Sequence, residues 1–274
     1  MNGLPAALEL NARATRARVY VRVVGSLRQP QWIVGDALLP ALGMSAFVLL
    51  YRGLGAPKTY EALAVLGGIL STYWVNVLWG MGAQLYWEKQ QGQLALYFAA
   101  PCSRMAILLG MALGGVLTTT VRSVFCIAMG FGVLGVRIGP FDPWALGLVF
   151  VVAMTALYAL GMTLASVFLL FGREAWHLCN ALQEPVHFLS GLYFPIRTLG
   201  ALGAVAAGII PLGLGVDAMR QVLLGPAARG LWPVRTETAA LAGLAVVFGV
   251  LARVALRYLE DLSKREGRLT QRWQ

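Results

Sequence analysis

Six long apolar stretches recur along this chain, at about 32–51, 62–86, 104–135, 144–171, 175–193 and 238–258. Each is close to the roughly 20 residues a helix needs to cross about 30 Å of hydrocarbon. The third and fourth exceed that length and must tilt, kink or run beyond the lipid. A fold in water cannot hide so many such segments. Only 12% of the 274 residues are charged, 58% are apolar and the mean hydropathy is +0.70, whereas soluble domains carry about 25% charged residues. In water this chain would expose large apolar patches and aggregate, and disorder demands the opposite composition. The fold class expected is therefore an all-α membrane protein with six transmembrane helices.

A seventh apolar region, about 194–228, differs from the others. It carries Gly200, Gly203, Gly208, Gly213 and Gly215 together with Pro195, Pro211 and Pro226, too many interruptions for one straight helix. Irregular backbone at membrane depth must be buried in protein or line a cavity. The region reads as a broken pair of short helices that dips back into one leaflet before the last span.

Charge sets the orientation. Placing the amino terminus in the cytoplasm puts fourteen Lys and Arg on that side and seven outside, with Arg122 left within a helix. The excess of basic residues follows the cytoplasmic bias of Lys and Arg, so both termini are expected inside and the chain in the inner (cytoplasmic) membrane. The net charge of +10 thus needs no nucleic acid, and no basic stripe with interleaved aromatics is present. The first thirty residues hold several Arg but no apolar core before a small-residue cleavage site, so no cleavable signal peptide is expected. Within 1–31, Val19, Tyr20, Val23, Val24 and Leu27 share one helical face while Arg18 and Arg22 point away. That pattern suits a helix on the inner membrane surface with its arginines near anionic head groups; the alternative is an ordinary cytoplasmic tail. Residues 32–258 form the membrane domain, and 259–274 a cytoplasmic tail of mixed charge.

Few residues offer chemistry. A P-loop needs a lysine after glycine to cradle phosphates, and none of Lys58, Lys89 and Lys264 follows one. Cys102, Cys126 and Cys179 are widely spaced and suggest neither a disulfide framework nor a metal site. His177 and His187 lack a zinc-binding context, and Ser190 before Gly191 lacks a placed base. Two charges inside apolar runs stand out, Arg122 in the third and Glu184 in the fifth. Each costs about 2.5–3.5 kcal/mol at a helix centre, so they are expected to pair with each other or to face water between subunits. Such a pair either walls a transport pathway or fixes helix packing. Ser71, Thr72, Tyr73 and Asn76 of the second stretch suit interhelical hydrogen bonds, and Gly110-x-x-x-Gly114 allows close helix packing.

The segment from about 87 to 101 follows the second span on the cytoplasmic side. It reads Glu88-Lys89-Gln90-Gln91-Gly92-Gln93-Leu94 and continues to Pro101-Cys102-Ser103-Arg104. A short helix lying along the membrane, with Leu94, Leu96 and Phe98 partly exposed, would make a plug for a groove on a partner; the alternative is a connecting loop buried on its own chain. This stretch resembles the Glu-Arg-x-x-Gly-Thr-Leu … Pro-x-Ser-Arg pattern of the ABC-type-2 exporter permeases, with Lys89 in place of Arg and Gln93 in place of Thr. Further on, Ser190-Gly191-Leu192-Tyr193-Phe194-Pro195, then Pro211 and Asp217-Ala218-Met219-Arg220, is similar to that family's Ser-Gly-x-x-Phe-Pro … Pro … Asp-x-x-Arg pattern.

The resemblance implies a transport subunit without its own ATP site, working as a pair of protomers, homo- or heterodimeric. It implies ATP and Mg bound on a partner ATP-binding subunit, contacted through Glu88, Lys89, Gly92, Leu94 and Pro101 and through the amino-terminal helix. It implies a pathway formed mostly at the dimer interface from the first, second and fifth spans, and an outer gate built from Tyr193, Phe194, Pro195, Pro211, Asp217 and Arg220. Asp217 and Arg220, three apart on one helix face, are expected to pair locally. The cargo expected is an amphiphile such as a drug or lipid. A polysaccharide or lipid-linked glycan is the alternative, and an ion-driven secondary transporter, which would need repeats and several midplane acids, is a further one.

Overall fold

The computed structural model describes residues 3–171, 174–228 and 230–266. Every element it contains among them is helical. Arg173, Arg229, Arg268 and Arg272, part of the charge asymmetry above, lie outside the described residues.

Helix α1 (Gly3–Leu27) precedes α2 (Pro30–Gly53), whose first turn accepts Pro30 because its missing N–H would be unpaired there anyway. Helix α3 (Lys58–Val75) runs through a π-helical turn (Asn76–Gly82), closed by the Ala83 N–H on the Leu78 carbonyl at 2.9 Å, into α4 (Gln84–Gln90). Together they make one apolar rod, Lys58–Gln90, which is the central element: 83% of its most apolar stretch is buried, against 28% in α2. Tyr73, Trp74, Leu78 and Met81 put the rod's large side chains into the core, with Met111 and Leu157 from its neighbours.

Gly92 at φ +75° turns the chain from α4 into the short α5 (Leu94–Ala99). Helix α6 (Arg104–Ile127), extended by a second π turn to Val133, and α7 (Pro143–Phe171) follow. The Asp142 carboxylate caps α7, accepting the Trp144 and Ala145 N–H groups at 2.9 and 3.2 Å. Next come α8 (Ala175–Leu189), α9 (Gly200–Ile209), α10 (Pro211–Leu224) and α11 (Val234–Glu266). Helix α11 packs along α7, α1 along α6 and α2 along α3.

Five helices among the described residues are long and apolar enough to cross a membrane, at Ile33–Gly53, Lys58–Gln90, Arg104–Val133, Pro143–Phe168 and Val234–Leu259. They match five of the six expected stretches. The 175–193 stretch holds α8, whose 15 residues are about 22 Å long at 1.5 Å per residue, and the candidate spans number six when the bent pair after it is counted as one. The chain breaks at Gly191 (φ +57°), where a side chain would collide with Ile196 and the Phe194 carbonyl. The expected re-entrant region is a bent pair, Ile196–Ile209 and Pro211–Ala228, folded by 107°.

The amino-terminal helix departs from expectation in its facing. Arg18 and Arg22 point into the protein, seated over Gly110 and Gly114 of α6, while Tyr20, Val21 and Leu27 are exposed. Arginines spaced by four meet glycines spaced by four, so two bulky stems cross where α6 has no side chains. Asn11 and Thr15 hold the other end of α1: the Ser103 N–H donates to Asn11 Oδ1 at 2.8 Å, and Thr15 Oγ1 donates to the Ala106 carbonyl at 3.0 Å.

Candidate functional site

A cleft of about 1210 Å³ opens between α1, α2, the central rod, α6 and α8, and it gathers polar groups in an otherwise apolar bundle. Its wall carries Arg18, Arg22 and Arg122, the carboxylates of Asp36, Glu88 and Glu184, and three tryptophans, Trp79, Trp87 and Trp176. The rod's π turn helps build this wall. A π turn carries one extra residue per turn and re-aims side chains, a feature frequent at functional sites. Here it holds Asn76 and Trp79 on the cleft.

At the α4 end of the cleft, the Arg18 guanidinium donates from Nη2 to Glu88 Oε1 and from Nη1 to the Tyr97 hydroxyl at 2.6 Å. Gln84 adds a bond to the same Glu88 oxygen at 2.9 Å. Burial, with the Glu88 carboxylate beside it, pushes the Tyr97 phenol up to about 12. Arg18 therefore locks α1, α4 and α5 into one unit around a buried ion pair, and breaking such a pair leaves an uncompensated charge. Elsewhere on the cleft wall, Arg122 Nη1 lies 2.9 Å from Asp36 Oδ2.

That pairing corrects the expected one. Arg122 does not meet Glu184: its partner is Asp36, the single acid inside the first apolar stretch, and Glu184 is largely exposed with His187 at 3.7 Å. Both Arg122 and Glu184 do line the same cleft. Over residues 22–224 the sequence matches the family described as ABC-2 type transporter. The chain belongs to that family. No curated protein gives a match.

As an ABC-2 member the chain is a multi-pass membrane permease of the ABC type, the part of such transporters that lacks an ATP-binding motif and depends on an ATP-binding subunit. Its predicted site residues fall into two groups. Glu88 and Leu94 are buried, at 2% and 4% exposure, so neither is a surface contact; Leu96, at 69%, is an exposed apolar side chain of α5. The Phe98 side chain lies outside the described residues. Lys89 is half-buried, and Gly92 and Pro101 sit in the turns that bracket α5.

In the second group, Arg220 is fully buried and straps the turn after α8. Its Nη2 donates to the Leu192 carbonyl at 2.6 Å and its Nη1 to the Phe194 carbonyl at 3.1 Å. Tyr51 donates to the Tyr193 carbonyl at 2.5 Å, and Phe47 stacks on the Tyr193 ring at 4.3 Å. Pro195 opens a 3₁₀ turn, Ile196–Leu199, and Pro211 opens α10. Asp217 and Arg220 face different partners instead of each other, a second correction: Asp217 Oδ2 accepts the Leu231 N–H at 2.6 Å.

Sequence reasoning missed Arg18, Arg22, Asp36, Trp79 and Tyr158 as site residues. Asp36 was visible as a lone acid in an apolar run. The matching four-residue spacings of Arg18/Arg22 and Gly110/Gly114 were visible too, but their meeting across 92 residues was not.

Proposed function

We propose that this permease is an exporter subunit that works as a pair of protomers and is driven by a separate ATP-binding subunit. The cleft is its half of the pathway, completed by the facing protomer, and both termini are cytoplasmic. The observation that carries this reading is the Arg18–Glu88–Tyr97 lock at the α4 end of the cleft. A push on the exposed face of α5, at Leu96, reaches α1 and the rod through one buried ion pair, so motion of a partner there is transmitted to the cleft wall. Arg220 and the turn from Tyr193 to Pro195, with Pro211 and Asp217, form the outer end that opens in response.

The cargo is an amphiphile, since the cleft joins exposed tryptophans to buried charges. A glycan-bearing cargo is the second reading. It is favoured by the aromatic cluster, in which Trp176 lies 4.8 Å from Trp79 and 6.1 Å from Trp87 in edge-on geometry, the kind of surface that sugar faces stack on.

The test is ATP hydrolysis by the co-assembled complex. Gly92→Pro forbids the φ of +75° that turns α4 into α5. It should therefore abolish cargo-stimulated hydrolysis while leaving membrane insertion intact. Unchanged stimulation in that variant would sink the coupling role of this segment.

A further inference from the structure

Two of the cleft's three arginines have an acid partner, while Glu184, on the same wall, is largely exposed. Arg18 has Glu88, and Arg122 has Asp36. Arg22 lines the cleft between them with no hydrogen bond or ion pair among the described residues, and its Nε is sealed from solvent without a partner. Burial draws its guanidinium down to about 10, still cationic at neutral pH. Beside it stands Asn76, whose Oδ1 accepts the Tyr158 hydroxyl at 3.0 Å, so its amide NH₂ is the end left for the cleft. Gly80, one turn along the π-helical segment, makes room for both: a Cβ there would run into Arg22 Nη2 and Asn76 Nδ2. An unpaired buried cation is costly, and here it converges with a second free donor on a space that only glycine leaves open.

We infer that Arg22, Asn76 and Gly80 form a niche for a phosphate-type anion, carried as the head group of the cleft's amphiphilic cargo. The unpaired groups of Arg22 and Asn76 are all N–H donors, the guanidinium offers the planar fork that suits an oxyanion, and Trp79 on the adjoining wall contacts the apolar chain attached to the head group. The inference rests on the cleft being the permease pathway.

Titrating monododecyl phosphate, dodecyltrimethylammonium and inorganic phosphate onto the purified full chain in a neutral maltoside detergent tests it, read by tryptophan fluorescence. Monododecyl phosphate should bind saturably and the ammonium compound should not. Arg22→Gln should weaken the phosphate compound by about tenfold or more, the loss expected for a hydrogen-bonded charge. The same variant should melt no lower than the parent, because it removes a buried unpaired charge. Gly80→Ala should weaken binding as well, and Arg13→Gln, on the exposed face of α1 where Arg13 pairs with Glu9, should change nothing. Competition by inorganic phosphate would place the recognition in the head group alone; binding without such competition would mean that the alkyl chain is needed too. Equal binding by Arg22→Gln and the parent, or equal binding of the ammonium compound, overturns the niche. The assay uses the permease by itself, so a chain that binds no alkyl phosphate but still assembles with its ATP-binding subunit loses only this inference.

Discussion

Glu88 has the character of an internal strut and not of a docking side chain. Its carboxylate is shared by Arg18 and Gln84 and is nearly inaccessible. Glu88→Ala should therefore cost about 3–5 kcal/mol in stability, because Arg18 is left buried without its counter-charge. Glu88→Gln keeps an acceptor oxygen and should cost less; thermal unfolding in detergent separates the two, and equal losses would count against the strut. Arg122 gives a sharper residue-level test. A double-mutant cycle between Arg122 and Asp36 should show coupling above about 0.5 kcal/mol, and one between Arg122 and Glu184 should be additive. The sequence announced that Arg122 needs a partner, since an isolated charge in an apolar run is costly. It could not say which acid, because that choice depends on how α2 and α6 lie against each other.

Among elements, the amino-terminal helix shows where periodicity misleads. Its apolar face was legible, and membrane-surface logic assigns the arginines to head groups. The contact that wins is a tertiary one: Gly110 and Gly114 let the stems of Arg18 and Arg22 lie directly on the α6 backbone, with the charged ends carried into the cleft. Gly110→Leu should push α1 away from α6, at the roughly 1–3 kcal/mol typical of overpacking. Limited proteolysis should then cut within residues 3–27 where the parent is protected, and unchanged protection would contradict the packing. The spans themselves were legible to within a few residues because lipid imposes length and apolarity directly on the sequence. The exception, α8, is short and carries His177, Asn180, Gln183, Glu184 and His187, and the chain turns at Gly191, where the requirement is backbone conformation and not hydropathy. The π turn at Asn76–Gly82 left no sequence signal beyond its two glycines.

At the scale of the whole molecule, an enclosed central rod is surrounded by spans whose outer faces are apolar and exposed, and a cleft carrying charged side chains opens beside it. That arrangement suits lipid on most sides and a partner protomer over the cleft. In the function proposed above, force enters through α5 and the α4 turn. Coupling of this kind depends on assembly with an ATP-binding subunit. The direct measurement is to tag the chain, express it with its genomic neighbours, extract it in mild detergent and identify what copurifies. A stoichiometric ATP-binding subunit with ATPase activity that depends on the permease is the predicted result. A chain that purifies alone from cells in which such a subunit is present would contradict it.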